Sequence, residues 1–229
     1  MFDWITKRKT GSAFATLGSE YPMVSTGQGG FLAGTHVASN LGWRPIEALS
    51  VGDKVLTFDH GMQEITEMHR ETILVTDGEI SAAQCPLHVP QDALNNRVAM
   101  WVMPDQGILL ESDLAVDDQG DPFVVVPACT LEGYRGIERA PAGQRFELVM
   151  PRFAQDEVIY LEAGLLGYSA TPRNILEIPG PEESLYRVLP QRDARELVGN
   201  IMAEENFWAA DMPPDAATYN DVPFVSVRH

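Results

Sequence analysis

The sequence predicts an all-β domain with a helical C-terminal extension, and three observations carry that expectation. Short runs with period-two alternation recur between Gly and Asp punctuation, as in "THVAS", "KVLTF" and "EITEM", bounded by "NLG", "SVGD" and "DHG". Alternation at period two places one set of side chains on each face of a strand, and the Gly/Asp pairs between the runs are turn formers. Further apolar or alternating runs at 72–76, 98–103, 107–111, 123–126, 146–150 and 157–161 keep the close spacing of a domain built from many short strands. The third observation is a change of period after Pro172. In "PQRDARELVGNIMAEENFW", Ala194, Leu197, Ile201 and Met202 recur at helical spacing, with Pro190 just ahead of the first turn.

In chain order, residues 1–29 carry little periodicity and end in "STGQGG", which reads as a flexible N-terminal extension. The β domain is expected over 30–172. Within it "RPIEALSVGD" has an apolar pair at 46 and 49 followed by Gly-Asp, which predicts a single helical turn before a strand. "PRFAQDEVIYLEAGLLGYS" reads as a strand pair, or a strand and a turn, closing the β domain near residue 170. Residues 173–229 form the C-terminal extension, with one helix at about 190–207 and then the proline-rich "DMPPDAATYNDVPFVSVRH", expected to be extended.

A chain of 229 residues, 45% hydrophobic and 21% charged, fits one globular domain with extensions and buries a core without staples. Sixteen Lys and Arg against thirty-three Asp and Glu give a formal charge of −17. Such a surface repels phosphate backbones and anionic lipid heads, so the expected partner is protein rather than nucleic acid or membrane. The start, "MFDWITKRKTGSAF", has basic residues but no apolar run behind them, unlike a Sec-type signal peptide. Apolar stretches such as "FVVVPACTL" are too short to cross a bilayer. A cytoplasmic location and secretion without a cleaved signal both stay open.

No cofactor is expected. Gly27, Gly29 and Gly30 precede a strand rather than a helix and lack the lysine of a phosphate-binding loop. No metal is expected either. "CPLH" has a ligand-like spacing but no second pair, and His60 and His69 around Glu64 read as exposed. Cys85 and Cys129 make no disulfide framework; one bridge between them is possible, but two buried thiols are expected, that of Cys129 inert because burial disfavours the thiolate. Trp43 and Trp101 are expected to pack in the core or at a sheet edge.

The stretch "GGFLAGTHVASNLGWRPIEALSVGDKVLTFDHG" resembles the opening of the Hint (Hedgehog/intein) domain family, bacterial type. Phe31, Gly34, Thr35, Gly42, Pro45, Glu47, Leu49, Gly52, Asp53, Val55 and Thr57 stand where that family's pattern expects them. "PQDALNNRVAMWVMPDQGILLES" is similar to the segment leading into the family's Ser-Pro-x-His block. "FELVMPRFAQDEVIYLEAGLLGYS" is similar to its closing strands, where Asp-x-His precedes an apolar strand. The resemblance spans roughly residues 30 to 170 and implies the all-β, horseshoe-like Hint fold.

It also implies a chemistry. In active members a thiol attacks the preceding carbonyl, a histidine of the Ser-Pro-x-His block helps protonate the amide nitrogen or polarise the carbonyl, and a later histidine or aspartate assists proton transfer. Amide nitrogen is a poor leaving group, so nucleophile and acid must converge on one bond. At the positions this resemblance marks, the chain carries Gly30 for the nucleophile, Met103-Pro104-Asp105-Gln106 for the histidine block, and Ala154-Gln155-Asp156 for Asp-x-His. Glutamine donates hydrogen bonds but exchanges no proton near neutral pH.

The expected function is therefore a Hint-type protein lacking self-cleavage, serving as a β scaffold or protein-interaction module. Twenty-nine residues precede Gly30, too few for an ordinary domain to be released. The alternative is self-cleavage with a non-standard nucleophile, a hydroxyl at Thr35 or Ser39 working with Asp156. Against this, Thr35 reads as closing the Gly-Thr turn and Ser39 as facing solvent. A β-rich hydrolase would need a nucleophile–histidine–carboxylate cluster, and His36, His60, His69, His88 and His229 form none by spacing.

Overall fold

The structure, a computed structural model, describes residues 29–74, 85–139, 145–161, 164–171 and 185–211. The N-terminal extension before Gly29, the continuation of the 72–76 run past Leu74 and the proline-rich tail lie outside these residues.

The first strands are β1 (Phe31–Leu32), β2 (His36–Ser39), β3 (Gly42–Pro45), β4 (Lys54–Thr57), β5 (Gly61–Glu64) and β6 (Glu67–Leu74). The middle of the chain adds β7 (Leu87–Val89), β8 (Met100–Val102), β9 (Gly107–Glu111) and β10 (Phe123–Pro127). The last are β11 (Glu138–Arg139), β12 (Arg145–Arg152), β13 (Glu157–Tyr160) and β14 (Leu166–Ser169), followed by one helix, α1 (Gln191–Asp211). The strands make two antiparallel sheets. One runs β11-β7-β8-β1-β12-β6, and the other β10-β9-β14-β13-β4-β2-β3 with β5 also paired to β4.

The alternation in the sequence becomes the inward and outward faces of these strands. Val37 and Ser39 on β2, and Val55 and Thr57 on β4, are buried while their neighbours are partly or fully exposed. The expected helical turn is present as a 3-10 turn at Ile46–Ala48 with Ile46 fully buried. Motif residues fix the turns around it. Glu47 accepts the Gly34 N–H at 2.8 Å and Asp53 accepts the Ser50 N–H at 2.8 Å. Arg70 reaches across from β6 to the carbonyls of Glu47 and Leu49.

Two local expectations are corrected and a third is sharpened. "EITEM" is not one strand, because the ladder breaks between β5 and β6. There Ile65 turns fully inward, its N–H donating to the Asp53 carbonyl and its carbonyl accepting from the Gly52 N–H. Ser39 does not face solvent. It is buried, and its hydroxyl donates to the Gly42 carbonyl at 2.7 Å, bridging the β2–β3 turn. Trp43 is at a sheet edge as expected but is 53% exposed, since β3 pairs only with β2. Short 3-10 turns at Asp113–Ala115, Ala128–Leu131 and Tyr134–Gly136 carry no periodic signal in sequence, being too short to repeat a period.

The main core lies between the sheets and under α1. Ala194, Leu197 and Val198 are buried in it and Ile201 and Met202 pack against it, so the apolar stripe of the helix covers the β domain. Each buried Leu or Val contributes about 1.5–3 kcal/mol relative to exposure. The approach to the helix is tied by Val125, whose N–H donates to the Arg187 carbonyl and whose carbonyl accepts from the Leu189 N–H. Farther along, Glu205 accepts from the Tyr134 hydroxyl at 2.8 Å and from Arg135 Nη2 at 2.7 Å. The two sheets meet where β14 crosses β1: a Cβ on Gly167 would lie 2.5 Å from Phe31 Cε1, so only glycine allows this approach.

Candidate functional site

Gly30 immediately precedes β1, which lies inside its sheet between β8 and β12. Its N–H, the nitrogen of the 29–30 peptide bond, donates to Gln106 Oε1 at 2.9 Å in a buried contact across 76 residues of sequence. Gln106 sits in the turn before β9, where its own N–H donates to the Met103 carbonyl and its carbonyl accepts from the Ala128 N–H. The side-chain amide then donates to the Gly107 carbonyl at 2.9 Å and the Tyr168 carbonyl at 2.8 Å. Oxygen facing an N–H and nitrogen facing two carbonyls is a self-consistent orientation of the amide. Gln106 is 3% exposed, and its two N–H groups and its oxygen are all engaged.

Asp156 connects to this arrangement through one residue. The Tyr168 hydroxyl donates to Asp156 Oδ2 at 2.7 Å, and the Thr171 N–H donates to Oδ1 at 2.7 Å. Both carboxylate oxygens are therefore engaged in holding β14 and the residues after it. Thr35 is elsewhere. It is half-buried in the turn between β1 and β2, its N–H donating to the Leu32 carbonyl and its carbonyl accepting from the Ile46 N–H. Of the residues singled out from sequence, Gly30 and Gln106 touch, Asp156 is reached through Tyr168, and Thr35 and Ser39 serve turns.

Cys129 lies in the turn packed against the Gln106 segment, its N–H donating to the Pro104 carbonyl at 2.8 Å. Cys85 and Cys129 are both free and buried. The Cys129 thiol accepts from Gln191 Nε2 at 3.1 Å, and burial pushes its pKa up, which disfavours the thiolate.

A second polar cluster was hidden in the sequence. Glu157 is fully buried, and its Oε2 lies 3.0 Å from His60 Nδ1 while Oε1 accepts from Gln155 Nε2 at 3.1 Å. Burial, and then the nearby Asp59 and Glu157 carboxylates, raise the pKa of the adjoining Tyr186 phenol far above its ordinary value. A signal existed: alternation puts Glu157 on the face of β13 shared by Ile159 and Leu161, all three fully buried. Its partner His60, 97 residues away, carried none.

A sequence model described as the Hint domain matches residues 29–168. The chain belongs to the Hint domain family, and the two packed antiparallel sheets are its fold. No curated protein matches the chain. Among solved structures it is similar to a GSH-linked, splice-inactive variant of the AceL NrdHF class 3 split intein, at 15% identity and a TM-score of 0.42, over 63% of this chain and 99% of that one. It is also similar to a bacterial intein-like domain from Clostridium thermocellum, at 14% identity and a TM-score of 0.38, over 62% and 99%. The gp41-1 intein follows at 12% identity and a TM-score of 0.35, over 60% and 98%.

Proposed function

We propose that this Hint domain does not cleave itself and serves as a β scaffold that engages a protein partner. The observation that carries this reading is the contact at the 29–30 peptide. Where cleavage calls for an attacking heteroatom and a proton donor to the amide nitrogen, residue 30 has no side chain and Gln106 offers an acceptor oxygen. Gln106 has no proton to exchange near neutral pH, and its N–H groups are already committed to two backbone carbonyls. The alternative chemistry points the same way, since the Ser39 hydroxyl bridges its own turn and Asp156, the assisting acid or base, is held on both oxygens. A strongly acidic surface, −17 over the chain, favours a partner with basic character.

The test is intact-mass measurement after incubation with thiol or hydroxylamine. One species at 25.2 kDa is expected. Fragments that end between residues 29 and 39 would defeat the proposal.

A further inference from the structure

β1 and β12 run antiparallel with Phe31 opposite Val149 and Leu32 opposite Leu148, and the same register sets Gly30 opposite Met150. Facing residues of an antiparallel pair project from the same side of a sheet, so the side chain at 150 and any side chain at 30 contend for one space. Met150 already occupies it. A Cβ on residue 30 would lie 2.7 Å from Met150 Cγ and 3.5 Å from its Sδ. Carbon atoms in contact settle near 3.5–4.0 Å, so the two cannot coexist as placed. Moving Cγ needs a new χ1 rotamer, which relocates the whole methionine side chain. Gly30 also has φ +149°, a backbone conformation that side-chain-bearing residues rarely adopt, so clash and backbone strain are separate obstacles.

We propose that Met150 is the residue that closes the site: its side chain fills the place a reactive side chain at position 30 would take. The loss of reactivity is then a packed, small-against-large pair, Gly30 with Met150, rather than an empty position awaiting a thiol. This rests on reading Gly30 as the nucleophile's position. It adds a requirement that the sequence pattern does not contain, namely that position 150 must shrink before position 30 can carry a working side chain.

A double-mutant cycle separates the clash from the backbone strain. Gly30→Ala and Gly30→Cys are each made in the native chain and with Met150→Ala, and unfolding is followed in urea. The penalty of either change at 30 is expected to fall by at least about fivefold in the unfolding equilibrium constant once Met150 is truncated. Failure to fold with Met150 present but not with Met150→Ala supports the proposal equally. Equal penalties on both backgrounds, or failure to fold on both, overturn it, because the backbone conformation alone then accounts for the cost.

A second readout is the reactivity of the introduced thiol toward a disulfide reagent. Cys85 and Cys129 are buried and set the background, measured in Met150→Ala alone. In the Gly30→Cys, Met150→Ala protein the new thiol is expected to react about tenfold faster than that background. Reaction no faster than the background overturns the proposal.

Cleavage distinguishes this inference from the reading beneath it. If Gly30→Cys, Gln106→His and Asp156→His cleave before residue 30 with Met150 intact, the Met150 proposal fails and the nucleophile reading stands. If the cycle shows coupling but no cleavage follows when Met150→Ala is added to those three, the Met150 proposal stands and the nucleophile reading fails.

Discussion

Gln106 uses every hydrogen-bonding group of its side chain inside the protein, and three backbone groups depend on it. Truncating it to alanine leaves the Gly30 N–H and the carbonyls of Gly107 and Tyr168 without that partner, at about 1–3 kcal/mol for each group that water cannot reach. Gln106→Ala is therefore expected to lose about 3 kcal/mol or more of stability, read from the urea midpoint. A loss within about 0.5 kcal/mol would show that the amide is dispensable and that its burial has another cause. The His60–Glu157 contact makes a similar demand. His60→Ala removes one of the two partners identified for a fully buried carboxylate, and is expected to cost about 2 kcal/mol. Adding Glu157→Gln should recover part of it, because a neutral amide tolerates burial better than a carboxylate. An additive double mutant would separate the two residues energetically.

At the scale of elements, α1 shows what periodicity can and cannot deliver. Ala194 and Leu197 were legible as its buried stripe because burial follows the 3.6-residue period, and they do pack on the β domain. Leu197→Ala should cost about 2–4 kcal/mol, and a smaller loss would mean that the helix docks weakly. Its second anchor, the bond from Tyr134 to Glu205, joins a turn of three residues to a helix 71 positions on and leaves no trace in local pattern. That anchor predicts a pH dependence. Burial first, and then the hydrogen bond to Glu205, push the Tyr134 phenol up to about 12. Its folded pKa lies above the unfolded value of about 10, so its contribution is whole below pH 10 and fades as pH rises through about 12. Tyr134→Phe should flatten the alkaline limb of the stability curve between those values; an unchanged limb would assign the loss to other groups.

The strands divide in the same way. Those whose faces differ in burial, such as β2 and β4, are readable from alternation, whereas β13 is buried on both faces. The break at Ile65, the pairing of β1 with both β8 and β12, and the meeting of Gly30 with Gln106 are long-range facts. Only the resemblance placed Gly30 and Gln106 in one site. Nothing in spacing pointed to Tyr168 or Met150, which decide how that site is filled.

For the whole molecule the excess of acidic residues is the dominant long-range term. Like charges repel most in the compact state, and salt screens them over about 10 Å at 0.1 M. Raising the ionic strength toward about 1 M should therefore raise the midpoint of thermal unfolding. A falling midpoint would mean that attractive pairs such as Arg135 with Glu205 and Arg139 with Glu132 outweigh the net charge. The helix among the described residues is not apolar enough to cross a membrane, and its polar face adds to this acidic exterior.

The ring of Phe31 rests in the gap that Gly167 leaves, one residue after the amide that Gln106 holds. A single methyl group at 167 has nowhere to go except into that ring, so it works as a wedge driven beside position 30 from the opposite sheet. Gly167→Ala should accelerate hydrogen exchange at the Gly30 amide even where the protein stays folded. The packing around the 29–30 bond is thus governed as much by a vacancy 137 residues downstream as by anything in the opening strand.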